Sequence, residues 1–322
     1  YTLLSLIFYW PLQATIYLTS GTLTYFNLLR FFICLFRPSK SQLFVITHGG
    51  AYGIVRPIHS FPEHFISDLY LRWGHVKDSS EFELEPVRCT RAIQGAIVEP
   101  SETIAFDLKV IFFFSAYPPF LRKLTSEVDY HSSIYSFMQS FLDALPSEFH
   151  RHIVLRPYPV SSNYLTREYS CASDAATLLS SHYPHVQLDD HSISGHNHIE
   201  SAPLVVYTYL AGTGFFQRLQ ANLPFLIVSS TSSAWIDPDF SDLYQRLVQA
   251  HIIFTDPLVF SNQFPAIIRN PFKWWASSDV VNAITEWRSQ YVSNRPLHNF
   301  LSALPRPHND YCLLYTSDAA DD

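Results

Sequence analysis

The sequence predicts an α/β chain built from two doubly wound parallel sheets. Three observations carry that prediction. Short apolar or β-branched runs alternate with helical runs along most of the chain, the pattern of parallel sheets covered by helices. Several of these runs stop at glycine-rich or polar loops, where open sheets place their ligands. A length of 322 residues exceeds one ordinary domain, and 48% hydrophobic content supplies a large core. With only 15% charged residues, the composition is not that of a disordered chain.

Taken in order, residues 15–19 read as a strand, 25–36 as a helix and 43–46 as a second strand, with a turn at Arg37-Pro38-Ser39-Lys40. This is a β-α-β unit, which is parallel and right-handed. The loop that follows, His48-Gly49-Gly50-Ala51-Tyr52-Gly53, pairs a histidine with glycines that let backbone approach a ligand closely. A tight turn with a surface histidine is the plainer reading of the same residues. A short helix around 60–68, a strand at 69–71, an exposed acidic stretch at 81–85 and a strand at 92–98 follow. The boundary is expected near 99–107. Beyond it, strands are expected at 110–114, 153–155, 186–188, 202–207, 225–228 and 252–254. Helices are expected at 131–144, 175–179, 215–221, 241–248 and 279–291.

The first 36 residues carry Arg30 as their only charge, yet Pro11, Gln13, Asn27 and Ser20-Gly21-Thr22 interrupt the apolar run. Those breaks favour buried core elements over a membrane span, with attachment to a membrane surface as the second reading. The chain starts at Tyr1 rather than Met, so the first domain is expected to lack its upstream part. Residues 312–322 read as translated sequencing adapter and are expected to add nothing to the fold. The expected organisation is therefore 1–100 as the C-terminal part of a first domain, 101–293 as a second domain and 294–311 as a tail. Cys34, Cys89, Cys171 and Cys312 form no C-x-x-C pair, which fits a reducing compartment. A net charge of −7 argues against a general nucleic-acid binder.

Chemistry is expected at three strand ends. The Gly212-Thr213-Gly214 loop opens a helix, and free backbone N–H groups there suit a phosphate. Arg156, followed by Pro157 and Tyr158, closes a strand and could pair with an anion or with an ordinary carboxylate partner. The His48 loop has Glu63 and Asp68 downstream, either of which could orient an imidazole or simply cap a helix. His191, His196 and His198 form an H-x4-H-x-H cluster, read as a solvated loop in preference to a metal site. No Walker loop, G-x-S-x-G elbow or H-E-x-x-H motif is present.

Together these pieces resemble a known family. T-H-G-G-A-Y-G-I, then P-E-H-F-I-S-D-L-Y-L-R-W-G, L-R-P-Y-P, Y-L-A-G-T-G-F-F-Q-R-L-Q-A-N-L-P and I-I-R-N-P-F-K-W-W are similar, in the same order, to transferases of bacterial surface-carbohydrate (polysaccharide and lipopolysaccharide) biosynthesis. The resemblance spans about residues 12–290. It implies two Rossmann-like domains of the GT-B glycosyltransferase type, with acceptor on the first and nucleotide donor on the second. It implies a nucleotide-sugar donor, a glycan acceptor, no cofactor or metal, and a cytoplasmic protein, at most peripheral to the inner face of the membrane.

By the same resemblance His48 corresponds to a catalytic histidine, with Glu63 and Asp68 beside it. Gly49, Gly50, Tyr52, Gly53, Arg156, Tyr158, Gly212, Thr213, Gly214 and Gln217 become substrate-binding candidates. The related donor-loop pattern is closer to G-T-T-x-x-E. Here Gly214 replaces the second threonine and Gln217 the glutamate, which removes a charge that could hold a ribose; Thr47 stands where the pattern has glutamine. A glycerol-phosphate-type transferase, a nucleotide-sugar epimerase and a non-catalytic scaffold are the alternatives.

Overall fold

The computed structural model describes residues 16–20, 42–46, 54–55, 66–73, 81–84, 108–114, 127–157, 170–210, 213–230 and 235–292, some of them by backbone alone. The chain divides into two compact units. One comprises Tyr1–Gly49, Pro57–Pro86 and Ser289–Asp322, and the other Gly50–Arg56 and Val87–Arg288.

The first unit holds a sheet of β1 (Ile16–Ser20), β2 (Gln42–Ile46), β3 (Leu69–Trp73) and β4 (Glu81–Leu84), in that spatial order and all parallel. Leu43, Phe44 and Val45 are buried in succession, the signature of a parallel strand covered on both faces. Within the acidic stretch expected as exposed at 81–85, residues 81–84 form the edge strand β4. Its Glu-Phe-Glu-Leu sequence alternates with the period of two that a strand requires. The helix expected at 25–36 and the strand expected at 92–98 lie outside the described residues.

The second unit holds a parallel sheet of β5 (Val110–Phe113), β6 (Ile153–Arg156), β7 (Gln187–Leu188), β8 (Val205–Tyr207), β9 (Phe225–Val228) and β10 (Ile253–Phe254). Its spatial order is β10-β9-β8-β5-β6-β7. The chain winds from β5 outward to β7, returns to the centre at β8 and winds the other way. This is the doubly wound order.

Helices cover both faces. Val110, Phe112, Leu155, Val206, Leu226 and Phe254 point to one face and pack with α1 (Glu127–Ala144), α2 (Ser170–His182) and α6 (Pro257–Arg269). On the other face Tyr207 and Phe225 meet Phe215 of α4 (Thr213–Ala221), and Phe225 and Phe215 meet Trp287 of α8 (Ser278–Tyr291). Phe240, just before α5 (Ser241–Gln249), closes that cluster on Trp287. Among the described residues no helix is long and apolar enough to cross a membrane.

Three helices lie where sequence patterning did not put them. α3 (Gly195–Ser201) replaces the expected histidine loop; Ser194 caps it, its Oγ accepting from the Asn197 N–H at 3.1 Å. α6 carries Pro265 in its interior, a break signal in sequence. Burying Phe260, Phe264, Ile267 and Ile268 at about 1.5–3 kcal/mol each outweighs the ~3 kcal/mol a helical proline costs. α7 (Pro271–Trp275) follows at once, capped by Asn270 Oδ1 on the Lys273 N–H.

Candidate functional site

The six-stranded sheet reverses its winding between β5 and β8, so their carboxyl ends flank the place where such sheets bind ligands. Thr208 ties the two ends together. Its N–H and its hydroxyl both donate to the Phe113 carbonyl, at 3.1 and 3.0 Å. The chain then runs through Tyr209 and Leu210 to α4, which starts at Thr213. Gly214, in the first turn, is packed so tightly that a Cβ there would stand 2.9 Å from Tyr207 Oη. The far end of α4 is fixed as well. Asn222 adopts φ 55° just past Ala221, and the Leu223 N–H returns to the Arg218 carbonyl. Arg218, fully buried, donates to the carbonyls of Ile199, Ala202 and Pro224 at 2.7, 3.0 and 2.6 Å. It thereby pins α4 to the end of α3.

One strand over, β6 ends in Arg156, whose side chain is 7% exposed. Its Nη1 donates to Asp189 Oδ2 at 2.6 Å and to the Ile193 carbonyl at 2.9 Å. Gly195 packs over the guanidinium, its Cβ position 3.5 Å from Arg156 Nε. His198 Nε2 reaches the same Asp189 oxygen at 3.2 Å. Burial first, then the Arg156 charge, lower the His198 pKa against the pull of Asp189. Arg156 already neutralises Asp189, so the contact is a hydrogen bond from a neutral imidazole rather than an ion pair. Asp189 also accepts the His191 N–H at 2.8 Å. The group is a closed network that fastens the 189–198 segment to the end of β6.

Residues 6–301 match the LIC12162 family transferase. The chain belongs to that family. It is also similar in structure to the glycotransferase of kitacinnamycin, at 12% identity over 86% of this chain and 71% of that one, with a TM-score of 0.42. A second similar structure is the spinosyn rhamnosyltransferase SpnG, at 10% identity over 94% of this chain and 75% of that one, with a TM-score of 0.46. No curated protein matches.

The residues expected to serve this LIC12162 family transferase fall in three groups. His48, Gly49, Gly50, Tyr52, Gly53, Glu63, Tyr158 and Gly212 lie outside the described residues. Just past the histidine loop, Ile54 is buried, and its carbonyl accepts from the Asp237 N–H at 2.9 Å while Val55 bridges to Ile236. Asp68 is described, and it faces the other end of its sheet. Its Oδ2 accepts from the Leu43 N–H at 2.7 Å, and its own N–H bonds the Leu43 carbonyl. It thus holds the amino ends of β2 and β3 together, whereas His48 follows the carboxyl end of β2 in the sequence. Arg156, Thr213, Gly214 and Gln217 are in the second unit. Arg156 is engaged by Asp189 and Ile193 as above. Gln217 is buried one turn into α4.

Four residues that patterning did not single out build this geometry: Asp189, Thr208, Tyr207 and Arg218. A buried arginine at a strand end demands a carboxylate nearby, so Asp189 could have been sought at the next strand's end. Nothing local marks the other three. His196 pairs with Glu200 at 3.1 Å on α3, away from the Asp189 contact of His198. Among the described residues no group of three or more His, Cys, Asp or Glu stands together so as to hold a metal ion.

Proposed function

We propose that this transferase moves a glycosyl group from a nucleotide-activated sugar to a surface-polysaccharide acceptor. The second unit takes the donor and the first unit the acceptor, in the manner of GT-B enzymes. The observation that supports this best is the turn from β8 into α4 at the reversal point of the sheet. A helix opening there offers backbone N–H groups and a positive dipole end to a diphosphate. In the sequence, Gly212-Thr213-Gly214 occupies that turn.

In the proposed reaction the acceptor hydroxyl oxygen bonds to the anomeric carbon as the bond from that carbon to the phosphate oxygen breaks. His48 takes the hydroxyl proton, and the nucleoside diphosphate leaves with the electron pair. An imidazole suits the task because its pKa lies near neutrality. Backbone N–H groups at the start of α4 stabilise the charge growing on the leaving phosphate. Arg156, expected from sequence to share that work, is better suited to positioning: its buried pair with Asp189 holds the neighbouring rim. Such a reaction needs a supply of nucleotide sugar and a growing glycan. The proposal therefore puts the enzyme in the cytoplasm, at the inner face of the membrane.

The test is to incubate the intact protein with candidate nucleotide sugars, with and without glycan acceptor. Release of nucleoside diphosphate only when acceptor is present supports glycosyl transfer. Isomerised donor supports an epimerase, and retained glycan binding without turnover a scaffold. His48→Ala is expected to abolish turnover while leaving donor affinity within about twofold, since a general base contributes roughly 10²–10⁴-fold to rate. Full activity in that variant removes His48 from the mechanism.

A further inference from the structure

Gly214 sits in the first turn of α4 with no room for a side chain. A Cβ there would stand 2.9 Å from Tyr207 Oη, 3.0 Å from Tyr207 Cε1 and 3.0 Å from Ile199 Cδ1. The Ile199 methyl ends a flexible side chain and can rotate aside. The Tyr207 ring cannot. It is fully buried, stacks on Phe113 at 5.5 Å and 23°, and meets Tyr209, Phe215 and Phe225 edge-on at 5.9, 6.1 and 6.1 Å. Tyr207 is the last residue of β8, the strand that feeds the turn into α4. Helix and strand approach this closely only because residue 214 has no Cβ.

We infer that Tyr207 is a positioning residue for the donor-phosphate turn, and that Gly214 is its steric complement rather than a group that touches the donor. The Tyr207 ring is a fixed stop against which the first turn of α4 rests. The placement of that turn's backbone N–H groups follows from where the turn rests. The role toward a donor rests on the proposed function; the interlock itself rests on geometry alone.

The experiment is a double-mutant cycle in the full chain with Gly214→Ala, Tyr207→Leu and the two combined. Melting temperature is read along with affinity for the diphosphates of uridine, guanosine, adenosine, cytidine and thymidine. In the wild-type background Gly214→Ala is expected to lower the melting temperature by about 5 °C or more. It should weaken the best-bound diphosphate about tenfold, the scale of one displaced contact. Tyr207→Leu lowers stability by leaving a cavity, so the added methyl is judged within that background. There it should shift melting by less than about 2 °C and affinity by less than about twofold, because coupled sites are non-additive.

Equal losses in both backgrounds would overturn the interlock. Coupling in melting temperature with unchanged affinity would overturn the positioning role and leave packing alone. If the wild-type chain binds none of the diphosphates, the donor proposal fails and the positioning role with it, while the melting cycle still decides the interlock.

Discussion

Two strand ends of the same sheet meet similar demands in opposite ways. β6 ends in a cation, Arg156, and the fold surrounds it with Asp189, the Ile193 carbonyl and the Gly195 backbone. β8 ends in Tyr207 and Thr208, and the turn beyond them carries no charged side chain before Arg218. By residue type, the first end is the obvious anion site. In the structure its charge is consumed by the protein, whereas the second end offers a helix start at the reversal point of the sheet. A buried cation costs several kcal/mol unless it is paired, so its partner is supplied by the fold before any ligand arrives. Backbone N–H groups at a helix start cannot be paired within the helix. In the proposed function they are the donors that meet the diphosphate.

The contrast can be broken by exchanging the two kinds of damage. Arg156→Met should act on stability, because it strands the Asp189 carboxylate among buried groups at a cost of about 3–5 kcal/mol. For a chain of this size that is a fall of roughly 6–15 °C in melting temperature. At temperatures where the variant stays folded, its affinity for a nucleoside diphosphate should change little. Gly212→Val should do the reverse, with about tenfold weaker binding and a small shift in melting. Calorimetric melting and nucleotide titration on both variants would settle it. A diphosphate-binding defect confined to Arg156→Met would return the anion role to β6.

Thr208 probes the seam between the two ends. Thr208→Val removes the hydroxyl bond to the Phe113 carbonyl, while the backbone bond to the same oxygen remains. The carbonyl keeps a partner, so the loss should be about 0.5–1.5 kcal/mol by urea unfolding. A loss several times larger would mean that the seam depends on more than this bond.

The smallest expected effect is one of pH. The His198 pKa is lowered in the folded protein, chiefly by burial and then by Arg156. The unfolded chain therefore binds the proton more readily. The stability His198 contributes is fully present above its unfolded pKa near 6.5 and is lost as pH falls through its lower folded value. Urea midpoints at about pH 7.5 and pH 5.5, for wild type and His198→Asn, should differ less in the variant. In Arg156→Met one lowering cause is gone and Asp189 is unmatched, so the His198 dependence should shrink or reverse. An unchanged pH dependence in both variants would remove His198 from the network.

Most of the second sheet was legible in sequence because its strands are short apolar runs bounded by turn residues. Phe225–Val228 and Val110–Phe113 needed no more than that. The elements that escaped did so for identifiable reasons. α3 is short and polar, so its Ser194 cap was the only local sign of it. α6 is interrupted by Pro265, which local rules penalise and the apolar core overrules. β4 has acidic residues at every second position, and charge masked the alternation.

By itself the sequence determined a parallel α/β chain, the strand ends where chemistry could sit and the glycine loop that opens α4. These depend on local pattern, and local pattern is written in the chain. Only the tertiary structure decided which of those strand ends is already occupied. Asp68 faces Leu43 because β2 and β3 pair in that register, and Arg156 faces Asp189, thirty-three residues on, because β6 and β7 are neighbours. The closeness of Tyr207 to Gly214 likewise exists only once α4 has folded back on β8. Pairing of charges and exclusion of volume are properties of neighbours in space, and spacing along the chain does not encode them.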